Sequence, residues 1–196
     1  ASQPASQPVV VPMSQPFESA HVLACRAYRA TQRGPYDDAI ATAAERWGVD
    51  PFIMRGLFQH ESKLNPLAQN KRTSARGMPQ FTPSGAAAVG RLQRARGLTR
   101  VFSYAKALDW REAIPAAAEL LSYLRDTCSI LGDGIEFVLA GYNTGRCSGR
   151  VPTFVAEVLR YANRYRLEAA LPPIEFQPRW WRPRTTTTVR KHAPES

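Results

Sequence analysis

The sequence has no run of about 18 uninterrupted apolar residues, so no segment of it reads as a membrane-spanning helix. Clear period-two alternation is nearly absent, which limits any sheet to a small hairpin at most. Cysteine and histidine are sparse. Cys25, Cys128 and Cys147, and His21, His60 and His192, are scattered and form no Cys-x-x-Cys pair. Neither a metal site nor a cofactor is expected from such a set. Three cysteines cannot all pair within one molecule. Cys128 and Cys147 either form a disulfide or stay reduced, and Cys25 reads as a small buried hydrophobe. Acidic residues are outnumbered, 16 against 26 Lys and Arg, leaving a net charge of +10. That balance favours adsorption to anionic polymers such as nucleic acid or cell wall, without choosing between them. No recognition helix, aromatic-bearing sheet or metal knuckle is visible, so nucleic acid is not the expected partner.

A chain of 196 residues with 44% hydrophobic content has room for one domain with extensions. Residues 1–16 repeat Ala-Ser-Gln-Pro and read as a disordered linker without the basic-then-apolar order of a signal peptide. Residues 17–35 form an N-terminal helical extension, with a helix expected over Phe17–Arg33 ended by Gly34-Pro35. From Tyr36 to Leu171 the pattern is helical, and this stretch is the expected domain. Asp37-Asp38 opens one helix that Gly48 closes, and Pro51 opens the next, running to about Ser62. Leu64 to Ser74 is polar and irregular, and a further helix follows from Pro83 to about Arg96. Ile114, Ala117, Ala118, Leu121 and Leu124 mark one side of the longest helix, which ends before Gly132-Asp133-Gly134. Ile135–Gly141 leads into a Tyr142-Asn143 turn, and Val151–Leu171 forms the last helix. Residues 172–196, with Arg179, Arg182, Arg184, Arg190 and Lys191, read as a basic tail. Arg91, Arg94, Arg96 and Arg100 form a second basic cluster, read as a solvated helix face.

Three blocks carry chemistry. They are His60-Glu61-Ser62-Lys63-Leu64-Asn65-Pro66, Ala75-Arg76-Gly77-Met78-Pro79-Gln80-Phe81-Thr82-Pro83, and Gly141-Tyr142-Asn143-Thr144-Gly145. Glu61 closes an apolar helical run that starts at Asp50. A carboxyl at the edge of a core keeps its proton longer than one in water, and cleavage of a glycosidic bond needs such an acid. The competing reading pairs Glu61 with Lys63 or Arg76 at a helix end. Glycosidases generally need a second carboxylate, and none stands in these blocks: Gln80, Tyr142 and Asn143 are neutral. Asp50, Glu45 and Asp109 suit helix-start or surface roles.

Together the blocks resemble the Glu-Ser-x-x-Asn-Pro, Gly-Leu-Met-Gln-x-x-Pro and Ala-Tyr-Asn-x-Gly signatures of family 1 lytic transglycosylases, the soluble, goose-lysozyme-like group. Val151–Tyr161 is similar to that family's closing helix, and the resemblance covers roughly Tyr36 to Tyr165. Short motifs recur by chance, but three in order are specific. The resemblance implies a mainly α, lysozyme-like helical domain with a glycan-binding cleft that cleaves the N-acetylmuramic acid–N-acetylglucosamine bond of peptidoglycan. The substrate's N-acetyl group assists, and the muramyl 6-hydroxyl closes a 1,6-anhydro ring. By motif position Glu61 is the acid and then the base, and Tyr142 donates to the Glu61 carboxyl or the N-acetyl group. Gln80 and Asn143 bind sugar amides and hydroxyls, while the Met78 carbonyl faces the N-acetyl group. Ser62 either touches substrate or ends the helix, and Phe81 lines the groove. Of Phe81, Phe102, Tyr104, Trp110 and Tyr123, only one or two are expected to stack on sugars. The chain departs from the pattern with Met78 for Leu, Pro79 for Met and Gly141 for Ala. Pro79 keeps a carbonyl but lacks an N–H.

Two other readings stay open. One is a hydrolytic muramidase of the same fold. The other is a wall-binding module that docks a protein partner in a secretion, conjugation or phage-entry apparatus. All place the chain in the periplasm or otherwise deliver it to the wall.

Overall fold

The computed structural model describes residues 19–128, 134–147 and 151–175. The linker expected over residues 1–16 and nearly all of the 172–196 tail lie outside them. The elements run α1 (Ala20–Thr31), α2 (Asp37–Trp47), α3 (Pro51–Ser62), β1 (Gln69–Asn70), β2 (Ala75–Arg76), α4 (Pro83–Ala95), a 3-10 helix (Tyr104–Leu108), α5 (Trp110–Cys128), α6 (Ile135–Thr144) and α7 (Pro152–Glu168). The fold is mainly α, and the described strands make one antiparallel hairpin pairing Gln69 with Arg76 and Asn70 with Ala75. Among the described residues no helix is long and apolar enough to cross a membrane.

The centre is α3. Its first turn is fixed by Asp50, whose carboxylate accepts the Phe52 and Ile53 amides at 2.8 and 3.4 Å, and by Pro51, which has no N–H to strand. Asp50 also pairs with Arg166, tying this end of α3 to α7. Phe52, Met54, Leu57 and Phe58 are all fully buried, so α3 runs through the core rather than along its edge. Gly56 makes the crossing with α7 possible: a Cβ there would lie 2.6 Å from the Val158 carbonyl oxygen. On the far side α5 buries Ile114, Ala117, Ala118, Leu121 and Leu124, the stripe expected from the sequence. Its alanines let α2 and α6 approach closely.

The segment expected as an extension is built into the same core, since α1 contributes Ala24, Cys25 and Tyr28. The Tyr28 hydroxyl, the Gly34 amide and Arg55 all donate to buried Asp37. The Arg55 guanidinium also lies 4.6 Å from the Tyr165 ring, so α1, α2, α3 and α7 meet at one polar knot. Such a buried charge holds its place because Asp37 is paired with three donors; the Arg55 Nε alone is left without a partner among the described residues.

Several expected elements differ in detail. Tyr142 and Asn143 do not form a turn. They are the last turn of α6, which continues to Thr144 because Gly145 takes the left-handed cap at φ +72° and donates to the Gly141 carbonyl. The irregular loop before Ser74 contains β1, and the 3-10 helix was not foreseen. Cys128 and Cys147 are joined as a disulfide with Cα atoms 5.4 Å apart. Cys25 is a free, buried thiol, pushed up to about 11 chiefly by burial. Of the Gly132-Asp133-Gly134 stretch expected to break the long helix, Gly132 and Asp133 lie outside the described residues, and Gly134 precedes α6 as its N-cap.

Candidate active site

The C-terminal end of α3 opens into a cleft of about 590 Å³. The hairpin residues Asn70, Thr73 and Ala75 form one rim, with Gln80, Phe81 and the first two turns of α4 beside them. Leu120, Tyr123 and Leu124 of α5 and Gly141 to Gly145 at the end of α6 complete the walls. Among the described residues that line it, only Glu61 is acidic and only Arg91 is basic.

Glu61 reaches this position because α3 stops abruptly one residue later. Lys63 and Leu64 both take left-handed backbone, at φ 58° and 61°, and the Leu64 amide reaches back to the Phe58 carbonyl at 3.2 Å. Two successive non-glycine residues there cost about 1–2 kcal/mol each. The next turn is closed by Asn65, whose side chain accepts the Leu67 amide at 2.9 Å. Burial pushes the Glu61 carboxyl up to about 7. Among the described residues it has neither an ion pair nor a hydrogen bond. The two cations considered as partners are engaged elsewhere: Lys63 donates to the Tyr161 hydroxyl at 3.3 Å, and Arg76 lies 4.1 Å over the Tyr104 ring. With no cation to hold the charged form, desolvation alone decides its protonation.

Tyr142 is half-buried beside Glu61, and burial together with the Glu61 charge keeps its hydroxyl protonated. The hydroxyl donates to the Pro79 carbonyl at 2.8 Å, whereas the motif suggested the Glu61 carboxyl or a substrate N-acetyl group. That acceptor is free because the turn from Gly77 to Gln80 closes through the Gly77 carbonyl, which takes the Gln80 amide at 3.1 Å. Gln80 itself sits at φ 53°, and its side-chain amide donates to the Gly77 and Ala68 carbonyls at 2.9 and 3.4 Å. Its NH₂ is therefore spent on holding the turn to the hairpin, and only its oxygen remains unclaimed among the described residues.

The other residues singled out from the sequence divide. Asn143 is exposed and lines the cleft. Phe81 is a wall residue whose ring is buried 4.9 Å from Phe102. Met78 is fully buried and does not line the cleft, which leaves only its backbone for any contact with a ligand. Ser62 donates to the Phe58 carbonyl at 3.1 Å and ends the helix. Of the remaining aromatics, Phe102 is buried, Tyr104 carries Arg76, Trp110 packs on Tyr36 at 5.5 Å, and Tyr123 lines the cleft and is exposed. Gly141 faces Leu124 and the Cys128 sulfur, 2.9 and 3.3 Å from where a Cβ would stand, so the space the family fills with Ala is taken here by neighbours. Asn70, Thr73 and Arg91 were not foreseen in the cleft, and no local sequence signal marks them.

A family model described as the transglycosylase SLT domain matches residues 38–152. Among solved structures, the 70 kDa soluble lytic transglycosylase of Escherichia coli is 20% identical with a TM-score of 0.54, over 67% of this chain and 24% of that one. An inactive glutamate-to-glutamine mutant of lytic transglycosylase Slt from Pseudomonas aeruginosa is 18% identical with a TM-score of 0.54, over 84% of this chain and 27% of that one. The chain thus spans about a quarter of the length of these proteins. No curated protein sequence matches.

Proposed function

This chain belongs to the transglycosylase SLT domain family, and from that premise we propose that it is a peptidoglycan lytic transglycosylase with Glu61 as its one acid–base group. The observation that carries this reading is the one carboxyl among the described residues of the cleft, desolvated and without an ion-pair partner among them. Protonated Glu61 gives its proton to the oxygen that bridges C1 of N-acetylmuramic acid and C4 of N-acetylglucosamine. The C1–O bond breaks as the carbonyl oxygen of the muramyl N-acetyl group bonds to C1. The Glu61 carboxylate then takes the proton of the muramyl 6-hydroxyl, and that oxygen displaces the acetamide oxygen. One glycosidic bond is exchanged for a 1,6-anhydro ring, and no water is consumed. A lone carboxyl suits this sequence, since nucleophile and accepting hydroxyl both come from the substrate.

The Tyr142 hydroxyl, anchored on Pro79, stays protonated beside Glu61 and adds no charge there. Asn143 and the Gln80 oxygen bind sugar hydroxyls and amides, the Met78 carbonyl faces the N-acetyl group, and Tyr123 stacks on a sugar face. Phe81 supports the wall, and Ser62 fixes the end of α3. Residues 36–171 form the catalytic unit, which works wherever the chain meets the cell wall. The hydrolytic and purely wall-binding readings find no observation that favours them.

The pH profile tests this assignment. The acid form of Glu61 starts the reaction, so kcat/KM is expected to hold on the acidic side and fall about tenfold per pH unit once pH exceeds about 7. A profile flat from pH 6 to 9 on purified wall removes Glu61 as the acid.

A further inference from the structure

The arginine cluster that the sequence presents as a solvated face divides between two sides of α4. Arg91 looks into the catalytic cleft, whereas Gln93 and Arg96 face a second cavity of about 390 Å³ that shares no lining residue with it. The end of α2, the loop after α4 and the first half of α5 close this cavity. In its wall Glu119 is buried, and its carboxylate accepts from Gln93 at 2.8 Å and from Arg96. Gln93 in turn accepts the Phe102 amide at 2.5 Å, which fixes the loop as a wall. The Arg96 guanidinium, held by Glu119, lies 4.6 Å from the Trp47 ring, so it is positioned before any ligand arrives. The second acid of the cavity, Glu112, already pairs with Lys106 at 3.3 Å. Both carboxylates are matched, and Arg46 and Arg100 are exposed with no counter-charge among the described residues. The surface between these cations is apolar: Trp47 is half-buried, and Leu98 is 44% exposed.

From this arrangement we infer that the cavity is a docking site for an acidic segment of another protein, one in which an aromatic or aliphatic side chain stands between carboxylates. The carboxylates take the N–H groups of Arg46, Arg96 and Arg100, since a guanidinium fork matches a carboxylate with two parallel bonds. The apolar side chain covers Trp47 and Leu98, as an anchor surrounded by a polar rim does. The ends of this chain have the wrong charge to be the occupant. Residues 176–196 carry Arg179, Arg182, Arg184, Arg190 and Lys191 against Glu195, and residues 1–18 offer only Glu18. A second copy brings a further net charge of +10 and is repelled. A bare polyanion satisfies the arginines but leaves the apolar wall in water. The inference stands apart from the glycan-cleaving reading. Because the two cavities lie on different faces of α4, a protein docked here leaves the catalytic cleft open.

The probe is an array of short synthetic peptides in which Phe, Trp, Leu or Ile stands between Glu or Asp residues, with a matched array carrying Gln and Asn instead of the acids. Binding to the full chain is read from the fluorescence anisotropy of a dye on the peptide. At least one acidic peptide is expected to bind about tenfold tighter than its amide match. Arg46→Gln and Arg100→Gln should each weaken that binding about three- to tenfold, and Leu98→Ala should weaken it too. Arg94→Gln is the control, since it removes the same charge from a residue that does not line the cavity. An array in which no acidic peptide outbinds its amide match overturns the assignment. So does an equal loss from Arg94→Gln, which would mean that only net charge is felt. Polyphosphate that binds as tightly as the best peptide, with no loss in Leu98→Ala, also overturns it and makes the surface a general polyanion site. Wall clearance should be unchanged by Arg46→Gln and Arg100→Gln. A fall in parallel with peptide binding would place the cavity on the substrate path and end the docking assignment.

Discussion

Glu61→Gln is expected to lower the rate of wall cleavage by about 10²–10⁴-fold while leaving the fold intact and, above neutral pH, more stable than the parent. Gln keeps the shape and a polar head but has no proton to give. The stability gain follows from the direction of the Glu61 shift. Its carboxyl sits at about 7 in the fold against the ordinary 4.5, so the native state holds the proton more tightly than the unfolded chain does. Below about pH 4.5 both states are protonated and the two proteins should melt together. As pH rises toward 7 the unfolded chain gains by ionising while the native carboxyl does not, and the parent loses stability. Above about 7 that loss is complete. Gln at position 61 never incurs it. Thermal melts at pH 4 and pH 8 check this directly: the melting temperatures should coincide at the lower pH and separate in favour of the variant at the higher one. Equal melting at pH 8 would mean that Glu61 is better solvated or better paired than its surroundings indicate.

Gly77→Ala is expected to be the most damaging small substitution near the cleft, destabilising by about 3 kcal/mol or more and taking most activity with it. Gly77 has φ 74°, and a Cβ there would lie 1.7 Å from the Ala107 carbonyl oxygen. That contact is with backbone, so either the turn or the 3-10 helix has to move. The turn carries Pro79, which holds Tyr142, and Gln80. A shift of about 1 Å in such groups commonly costs about 10²-fold in rate. Gly97→Ala is the matched control: its φ is 83°, but a Cβ there meets nothing within 4 Å. It should therefore cost only the left-handed strain, about 1–2 kcal/mol. Urea unfolding of both variants, with wall clearance measured alongside, separates the clash from the strain. Equal losses for the two would show that the approach to Ala107 is readily relieved.

What could be read from the chain was what is local. The Asp50-Pro51 start of α3, the apolar run behind it and the Glu at its end determine one another within a dozen residues, and the long alanine-rich stripe of α5 has a period that can be counted. The Tyr142-Asn143 segment misled because Asn, Thr and Gly favour turns in isolation, whereas here Gly145 caps a helix that has already passed through both residues. A small hairpin at most was expected and is found, but its place could not be read because strands of two residues are too short to show alternation. Phe81 illustrates another limit: its motif neighbours suggested the groove, whose wall it does line, but nothing local showed that its ring pairs with Phe102 from the loop after α4. Arg91 was the least accessible. One arginine of a basic cluster reads as a solvated face until the packing of α4 against α5 places residues 84, 88 and 91 along the cleft. The disulfide could be framed as one of two states, but choosing between them took the meeting of α5 with the end of α6.

Single-acid transglycosylation is tested most directly by the fate of water at the new muramyl end. Digestion of purified peptidoglycan in heavy-oxygen water, followed by mass analysis of the released muropeptides, should give anhydro ends that carry no label. Reducing muramyl ends with one heavy oxygen each would contradict it and make the protein a hydrolytic muramidase.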